Sequence, residues 1–220
     1  MERIKVLAAP GPVSYPIIAA RDERFDIVFS KEGDADIVLD SSVSMIKRGL
    51  KPNYSLISGL SGFMPGVGNK IAIWRKGSAG DVLARAVTGL KGMKPEIIYV
   101  EEQPGIKEML SSGKADSAVV AAPNGRIITF EELLAEHGIK MPGSCVAKVS
   151  DSVKNDFLEA HNAGLKRFRE DPEGTSNFVA SVLPVKTGVG FIRDAILKAR
   201  TEVSEIKDDE DFTLLVKKFS

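Results

Sequence analysis

The stretch Gly33-Asp34-Ala35-Asp36-Ile37-Val38-Leu39-Asp40-Ser41-Ser42-Val43 returns in outline as Gly113-Lys114-Ala115-Asp116-Ser117-Ala118-Val119-Val120-Ala121-Ala122-Pro123. In each copy a glycine and a charged residue lead into Ala-Asp, and an apolar run follows that reads as a short strand. Each run stops in small or polar residues, and the carboxyl ends of strands are where an open α/β sheet presents a ligand site. Two such strand ends, about 80 residues apart in the chain, predict an α/β fold of two α/β lobes with a central cleft. The pattern points to binding more than to chemistry.

Around these copies the chain reads as strand–helix–strand units. Strands are expected at Arg3–Ala9, Phe25–Phe29, Ala35–Leu39, Tyr54–Ile57, Lys70–Arg75, Glu96–Val100, Ala115–Ala121 and Cys145–Val149. Ser42 is placed to cap a short helix closed by Gly49, and Ser78 with Asp81 has N-cap and N3 spacing for another. Thr129-Phe130-Glu131-Glu132 is a capping box, with Ile128 and Leu133 at the spacing of a hydrophobic staple. Residues 152–170 form the clearest amphipathic helix, a second is expected over about 185–200, and a charged tail closes the chain. Residues 58–69, rich in glycine, read as a crossing between lobes. Lobe one is then 1–62 plus 144–220 and lobe two 63–143, with hinges near 58–69 and 124–144. A single continuous doubly wound sheet is the competing layout.

Composition narrows the function. Thirty basic and thirty acidic residues cancel over 220 residues, so no nucleic-acid partner is expected. Residues 1–20 carry no h-region and no apolar run approaches the roughly 18 residues of a membrane span. A cytoplasmic protein is expected, or an extracytoplasmic one with a transporter partner if a leader has been removed. Cys145 is the one cysteine and His137 and His161 the two histidines, which leaves no metal site and no cofactor to expect.

Candidate ligand contacts lie at strand ends and helix starts, where free N–H groups gather. Ser14 and Tyr15 follow the first strand, Tyr15 placed to stack on a ligand. Asp40, Ser41 and Ser42 follow the third. Gly77, Ser78 and Ala79 offer close backbone approach without the order of a phosphate loop. Asn124 follows the Ala121-Ala122-Pro123 strand end, where a ligand body has room, and Ser144 lies on the return path. Cys145 reads as packing rather than nucleophile, and Glu101-Glu102 as a solvated loop. The ligand expected is a small polar or anionic metabolite held by a solute-binding or sensor protein. The alternative is a cofactor-free enzyme working by proton abstraction or elimination, with Asp40 as a base whose pKa an apolar cleft raises.

Three patches carry a family resemblance: Gly33 to Ser42, Lys70-Ile71-Ala72-Ile73-Trp74-Arg75-Lys76-Gly77-Ser78, and Leu110 to Val120. They resemble the type II periplasmic-binding-protein fold, and the chain is similar to a microbial family related to solute-binding lipoproteins. It is similar too to cytoplasmic relatives such as the futalosine-route menaquinone enzymes. The resemblance implies a helix between the second and third strands, yet only Ser30–Asp34 stand there. A parallel crossover takes about a dozen residues, so this corner must be built differently.

Overall fold

The structure is a computed structural model that describes residues 3–121 and 127–220. Strand β1 (Ile4–Ala8) leads through a turn into α1 (Tyr15–Ala20); then come β2 (Phe25–Val28), β3 (Ile37–Ser41), α2 (Ser42–Lys47) and β4 (Tyr54–Ile57). A second set follows: β5 (Ser61–Met64), β6 (Lys70–Trp74), α3 (Ala79–Leu90), β7 (Glu96–Val100), α4 (Gln103–Ser111), β8 (Ser117–Ala121), β9 (Ile128–Thr129) and α5 (Phe130–Ala135). The chain returns along β10 (Cys145–Val149) to α6 (Lys154–Glu170), α7 (Pro172–Val182) and α8 (Val189–Leu197). It ends with β11 (Ser204–Glu205) and α9 (Glu210–Phe219).

There are two sheets rather than one continuous sheet, ordered β11-β4-β10-β3-β1-β2 and β7-β6-β8-β5-β9. Five strands of the first match the five of the second, and β11 is an extra edge strand on the first. Central β1 and β6 each lie between two parallel neighbours, β2 and β3 or β7 and β8. Beyond the third strand an antiparallel one intervenes, β10 or β5, followed by an outer strand. The repeated Ala-Asp has the same task in both. Asp36 accepts a hydrogen bond from the Lys5 N–H at 2.9 Å, and Asp116 accepts one from the Lys70 N–H at 2.9 Å. Each aspartate's own N–H returns to the carbonyl of that lysine, so the carboxylates pin the start of the central strand and leave the far end free.

The first sheet buries Val6, Ile37, Leu39 and Ala147 against α1, α6, α7 and α8. Its other face carries Leu7, Val38 and Val146 under a thinner cover that includes Ala35 and Leu50. That cover answers the short link between β2 and β3. Because β2 and β3 flank β1 on opposite sides, residues 29–36 must pass across β1 and back along it. Eight extended residues reach about 26 Å, against about 20 Å for a strand length combined with two strand spacings. An extended segment therefore does what a helix does elsewhere.

The Gly-rich crossing is shorter than expected because β5 forms inside it. Gly62 belongs to β5, and a Cβ there would stand 2.1 Å from the Ile128 carbonyl oxygen. Its glycine marks close strand approach rather than looseness. Ile128 accordingly pairs in β9 and is exposed instead of stapling α5, although the capping box at Thr129 forms as expected. Helix α7 was not anticipated; Asp171 caps it by accepting from the Gly174 N–H at 2.9 Å, with Pro172 in its first turn. The charged tail is also helical, and Phe212, Leu215 and Val216 of α9 join the second sheet's core with Val43 and Ile46 of α2.

His161 sits in α6, fully buried, with its ring tilted against Phe157 at 5.6 Å. Neither ring nitrogen has a partner among the described residues. Burial lowers its pKa from 6.5 to about 4. The unfolded chain therefore takes up a proton between those values while the folded chain does not, so stability is intact above about pH 6.5 and falls as pH drops toward 4. At pH 5 the loss is about 2 kcal/mol. Urea denaturation of wild type and His161→Leu is expected to show the variant gaining about 2 kcal/mol on wild type between pH 7.5 and pH 5. An unchanged difference at the two pH values would remove His161 as the cause.

Candidate functional site

The carboxyl ends of β1, β3, β6 and β8 converge on one cavity of about 300 Å³ between the sheets. From the first sheet come Ala9, the Gly11-Pro12-Val13 turn, Asp40 and Ser41, joined by Ser144 and Cys145 at the start of β10. From the second come Trp74, the Ser78-Ala79-Gly80 start of α3, and Val119 to Ala121. Leu60 and Ser61 at the crossing and Ile106 of α4 complete the wall. An adjoining space of about 410 Å³ shares Asp40, Ser41, Trp74, Ser78 and Ala79 and adds Lys31, Lys47 and Arg48. It forms the mouth, spanned by Lys47 Nζ donating to the Gly77 carbonyl at 3.2 Å.

Among the described residues Asp40 is the one charged side chain on the cavity wall, and its oxygens are engaged. Oδ1 accepts from the Ser41 N–H at 2.8 Å, while Oδ2 accepts from Ser44 Oγ at 2.6 Å and Arg48 Nη1 at 3.3 Å. Arg48 also donates to the Lys31 carbonyl. The carboxylate thus ties the end of β3 to α2 and to the β2–β3 link. Its surroundings are a polar knot rather than the mostly apolar cleft expected from the sequence.

The hydroxyls divide by availability. Ser78 Oγ donates to the Trp74 carbonyl and accepts from the Asp81 N–H, so it is spent on capping α3. Ser41, rather than Ser42, caps α2 by accepting from the Ser44 N–H at 3.1 Å, because β3 runs on through Ser41. Its hydroxyl hydrogen remains to donate. Ser144 Oγ donates to Glu131 at 3.2 Å. Cys145 is buried; burial first, and the carboxylates of Asp40 and Glu131 next, push its thiol up, while the Val13 N–H reaches the sulfur. It stays a neutral thiol on the wall.

Several expected contacts lie elsewhere. Tyr15 is 1% exposed in the first core, and burial followed by the neighbouring Cys145 holds its phenol well above the usual range; it cannot stack on a ligand. Ser14 is buried, and its Oγ donates to the Gly11 carbonyl at 2.9 Å. Ser42 is buried off the cavity, with its Oγ unpartnered among the described residues. Gly77 lines the mouth rather than the cavity. Asn124 lies outside the described residues. Asp40, Ser41, Ser78, Ala79 and Ser144 do come together. Missed were Leu60, Ser61 and Ile106. Ser61 was hidden by reading 58–69 as a crossing, and Ile106 because an isolated apolar residue between Gly105 and Lys107 carries no ligand signal of its own.

Among the described residues no group of three or more His, Cys, Asp or Glu side chains is placed to hold a metal ion. A larger space of about 440 Å³ borders the crossings, with Glu131, Lys140, Arg200, Lys207 and Asp208 on its walls. No pair of parallel strands ends there, whereas the smaller cavity receives strand ends from both sheets, the geometry that α/β ligand sites share.

Two matching sheets, crossed more than once by the chain and facing each other over a cleft, define the solute-binding-protein architecture. The chain belongs to the family described as protein of unknown function DUF3834, which it matches over residues 1–202. No curated protein matches it. Among solved structures it is similar to a candidate nitrate transport protein of Thermoplasma volcanium, at 22% identity and a TM-score of 0.76 over 98% of this chain and 91% of that one. It is similar also to an ABC transporter protein of Parabacteroides distasonis, at 14% identity and a TM-score of 0.66 over 100% and 94%. A third is the alkanesulfonate-binding protein of Xanthomonas axonopodis pv. citri bound to MOPS, at 10% identity and a TM-score of 0.57 over 100% and 95%. At these identities the likeness establishes the fold. No helix among the described residues is long and apolar enough to cross a membrane.

Proposed function

We propose that the chain binds a small molecule in the cleft between its two sheets, as a solute-binding or sensor protein. The observation that carries this is the convergence of four parallel-strand ends, two from each sheet, on one cavity of about 300 Å³. A ligand touching both walls would favour the closed arrangement by its differential contacts. The lobes we assign by the sheet each segment joins or packs on. That moves β5 and α9 to the second lobe and leaves the rest of the division at 1–62, 63–143 and 144–220 in place. A transporter partner and a place outside the cytoplasm belong to the solute-binding form of this reading, and the sensor form needs neither. The enzymatic reading, with its futalosine-route likeness, asks for a free base at Asp40, and the hydrogen bonds to Ser41, Ser44 and Arg48 weigh against one.

Ala79 opens α3 on the cavity wall, half-buried at the edge of the second core, so Ala79→Phe adds bulk to the space, and an unchanged urea midpoint shows that the neighbouring core is intact. Wild-type protein incubated with a small-molecule cell extract, washed and heat-denatured is expected to release a ligand detectable by mass spectrometry. Ala79→Phe is expected to retain at least about tenfold less, a loss of about 1.4 kcal/mol. Equal retention by the two proteins, or none by either, would sink the binding reading.

A further inference from the structure

The composition of the cavity wall says more about the ligand than the fold does. Leu60, Ile73, Trp74, Ile106, Val119 and Val120 dominate it, and among the described residues no Lys, Arg or His side chain lines it. The single charge those residues place on it is the Asp40 carboxylate. The cations at the mouth are already engaged: Arg48 with Asp40, Lys31 with Ser44 Oγ at 3.3 Å, and Lys47 with the Gly77 carbonyl. Arg75 lies over the Trp74 ring, 4.6 Å from its centroid, and does not itself line the cavity.

The start of α3, which elsewhere would attract an anion, carries its own compensation. Asp81 is fully buried in the first turn. It accepts from the Gly77 N–H at 2.7 Å, from Tyr99 Oη at 3.0 Å and from Arg85 at 3.2 Å. A carboxylate in the first turn offsets the helix dipole. Among the described residues an anion in this cavity would meet one negative side chain and no positive one, at a helix end whose first turn already holds the Asp81 carboxylate, and would still have to shed its water.

The polar groups left over are neutral. Ser41 retains a hydroxyl hydrogen on the first lobe's wall. Ser61 Oγ on the second lobe's wall has no hydrogen-bond partner among the described residues. From these observations we propose that the cleft takes an uncharged amphiphile: a compact apolar body seated against the aliphatic wall and Trp74, with one hydroxyl, carbonyl or amide group meeting Ser41 and Ser61. The volume sits at the small end of the range for ligand pockets, so the body is compact. This inference rests on the binding reading above and deepens it.

Trp74 is the one tryptophan of the chain and lines the cavity, so its fluorescence reports occupancy directly. The full chain is titrated with 1-alkanols from butanol to heptanol, with the alkanoates of the same lengths, and with potassium nitrate and sulfate. Ala79→Phe is titrated in parallel. Alkanols are expected to bind about fourfold tighter per added methylene until the space is filled. Each alkanoate is expected to bind more weakly than its alkanol, the inorganic anions not at all, and Ala79→Phe to lose the response.

Nitrate or sulfate binding, or alkanoates binding more tightly than alkanols, would overturn the uncharged class while leaving the binding reading intact. So would a silent probe series from a protein that still retains a ligand from cell extract in an Ala79-dependent way. Silence in both experiments would take the binding reading down, and this inference with it.

Discussion

An Asp40→Ala variant is expected to lose about 3 kcal/mol of folding stability, because removing one partner of a buried ion pair leaves the other uncompensated. Asp40 is 4% exposed and Arg48 keeps a quarter of its side chain in solvent, which places the cost toward the lower end for such pairs. The Ser41 N–H and the Ser44 hydroxyl lose their acceptor in the same step. Asp40→Asn retains an oxygen for the Ser41 N–H and is expected to cost about half as much. The pairing is tested by adding Arg48→Leu. With the two groups in contact, the double variant is expected to be less destabilised than the two single losses added together, by about 1 kcal/mol or more. Chemical denaturation of the four proteins gives the cycle. Strict additivity would show that Asp40 acts apart from Arg48, and full stability of Asp40→Ala would return the residue to the ligand.

The Asp40 result separates two things that look alike in a sequence. A strand ending in Asp-Ser-Ser reads equally as a ligand grip and as a helix start, since both use hydroxyls and carboxylates against free N–H groups. What decides between them is Arg48, eight residues on, and no local pattern announces that contact. The same limit applies at Ser78, whose hydroxyl is spent on capping. Tyr15 failed as a stacking residue because the core that buries it is completed by segments far along the chain, with Cys145 and Thr187 beside its phenol. The site's position was legible, since strand ends are marked by a change from β-branched to small residues. Its chemistry was not, because most of the wall is aliphatic and looks like core.

The fold was legible where one physical rule governs a segment by itself. The paired Ala-Asp strands, the Thr129 capping box and the Cys145 return strand needed only local period and capping chemistry. Reading failed where tertiary contact gave a residue its meaning. Gly62 and Gly68 read as a loose crossing. Yet the first lets β5 approach β9, and a Cβ on the second would meet the Asp116 carboxylate at 2.1 Å. The short β2–β3 link broke the expected helix rule, and the resolution lay in which strands flank β1, a fact of topology rather than of the link. Helix α9 was passed over as a charged tail because its apolar residues have no meaning until α3 and α2 are placed beside them.

Gly164→Ala is expected to destabilise the protein by about 3 kcal/mol, in the direction opposite to helix propensity. Gly164 lies in the middle of α6, where glycine costs about 1 kcal/mol relative to alanine. The sequence accepts that cost because α1 crosses α6 at this point. A Cβ on Gly164 would stand 1.8 Å from the Pro16 carbonyl oxygen and 2.6 Å from its carbon. Both are backbone atoms of α1 and have no rotamer by which to withdraw. The helices must therefore separate, and separation loosens the first lobe's core, to which α6 gives Phe157, Ala160, Leu165 and Phe168 and α1 gives Ile17 and Ile18. Overpacking of this kind costs about 1–3 kcal/mol and sometimes more, and here it falls on rigid backbone. Ala163→Gly, one residue earlier on the exposed face, provides the reference: it is expected to lose only the propensity difference of about 1 kcal/mol. Urea denaturation of both variants reads the two terms separately. If Gly164→Ala were stabilised by the same 1 kcal/mol that Ala163→Gly loses, propensity alone would govern both positions and the α1–α6 contact would have to be wider than described. A larger loss from Gly164→Ala than from Ala163→Gly places the tightest packing of the first lobe at this crossing.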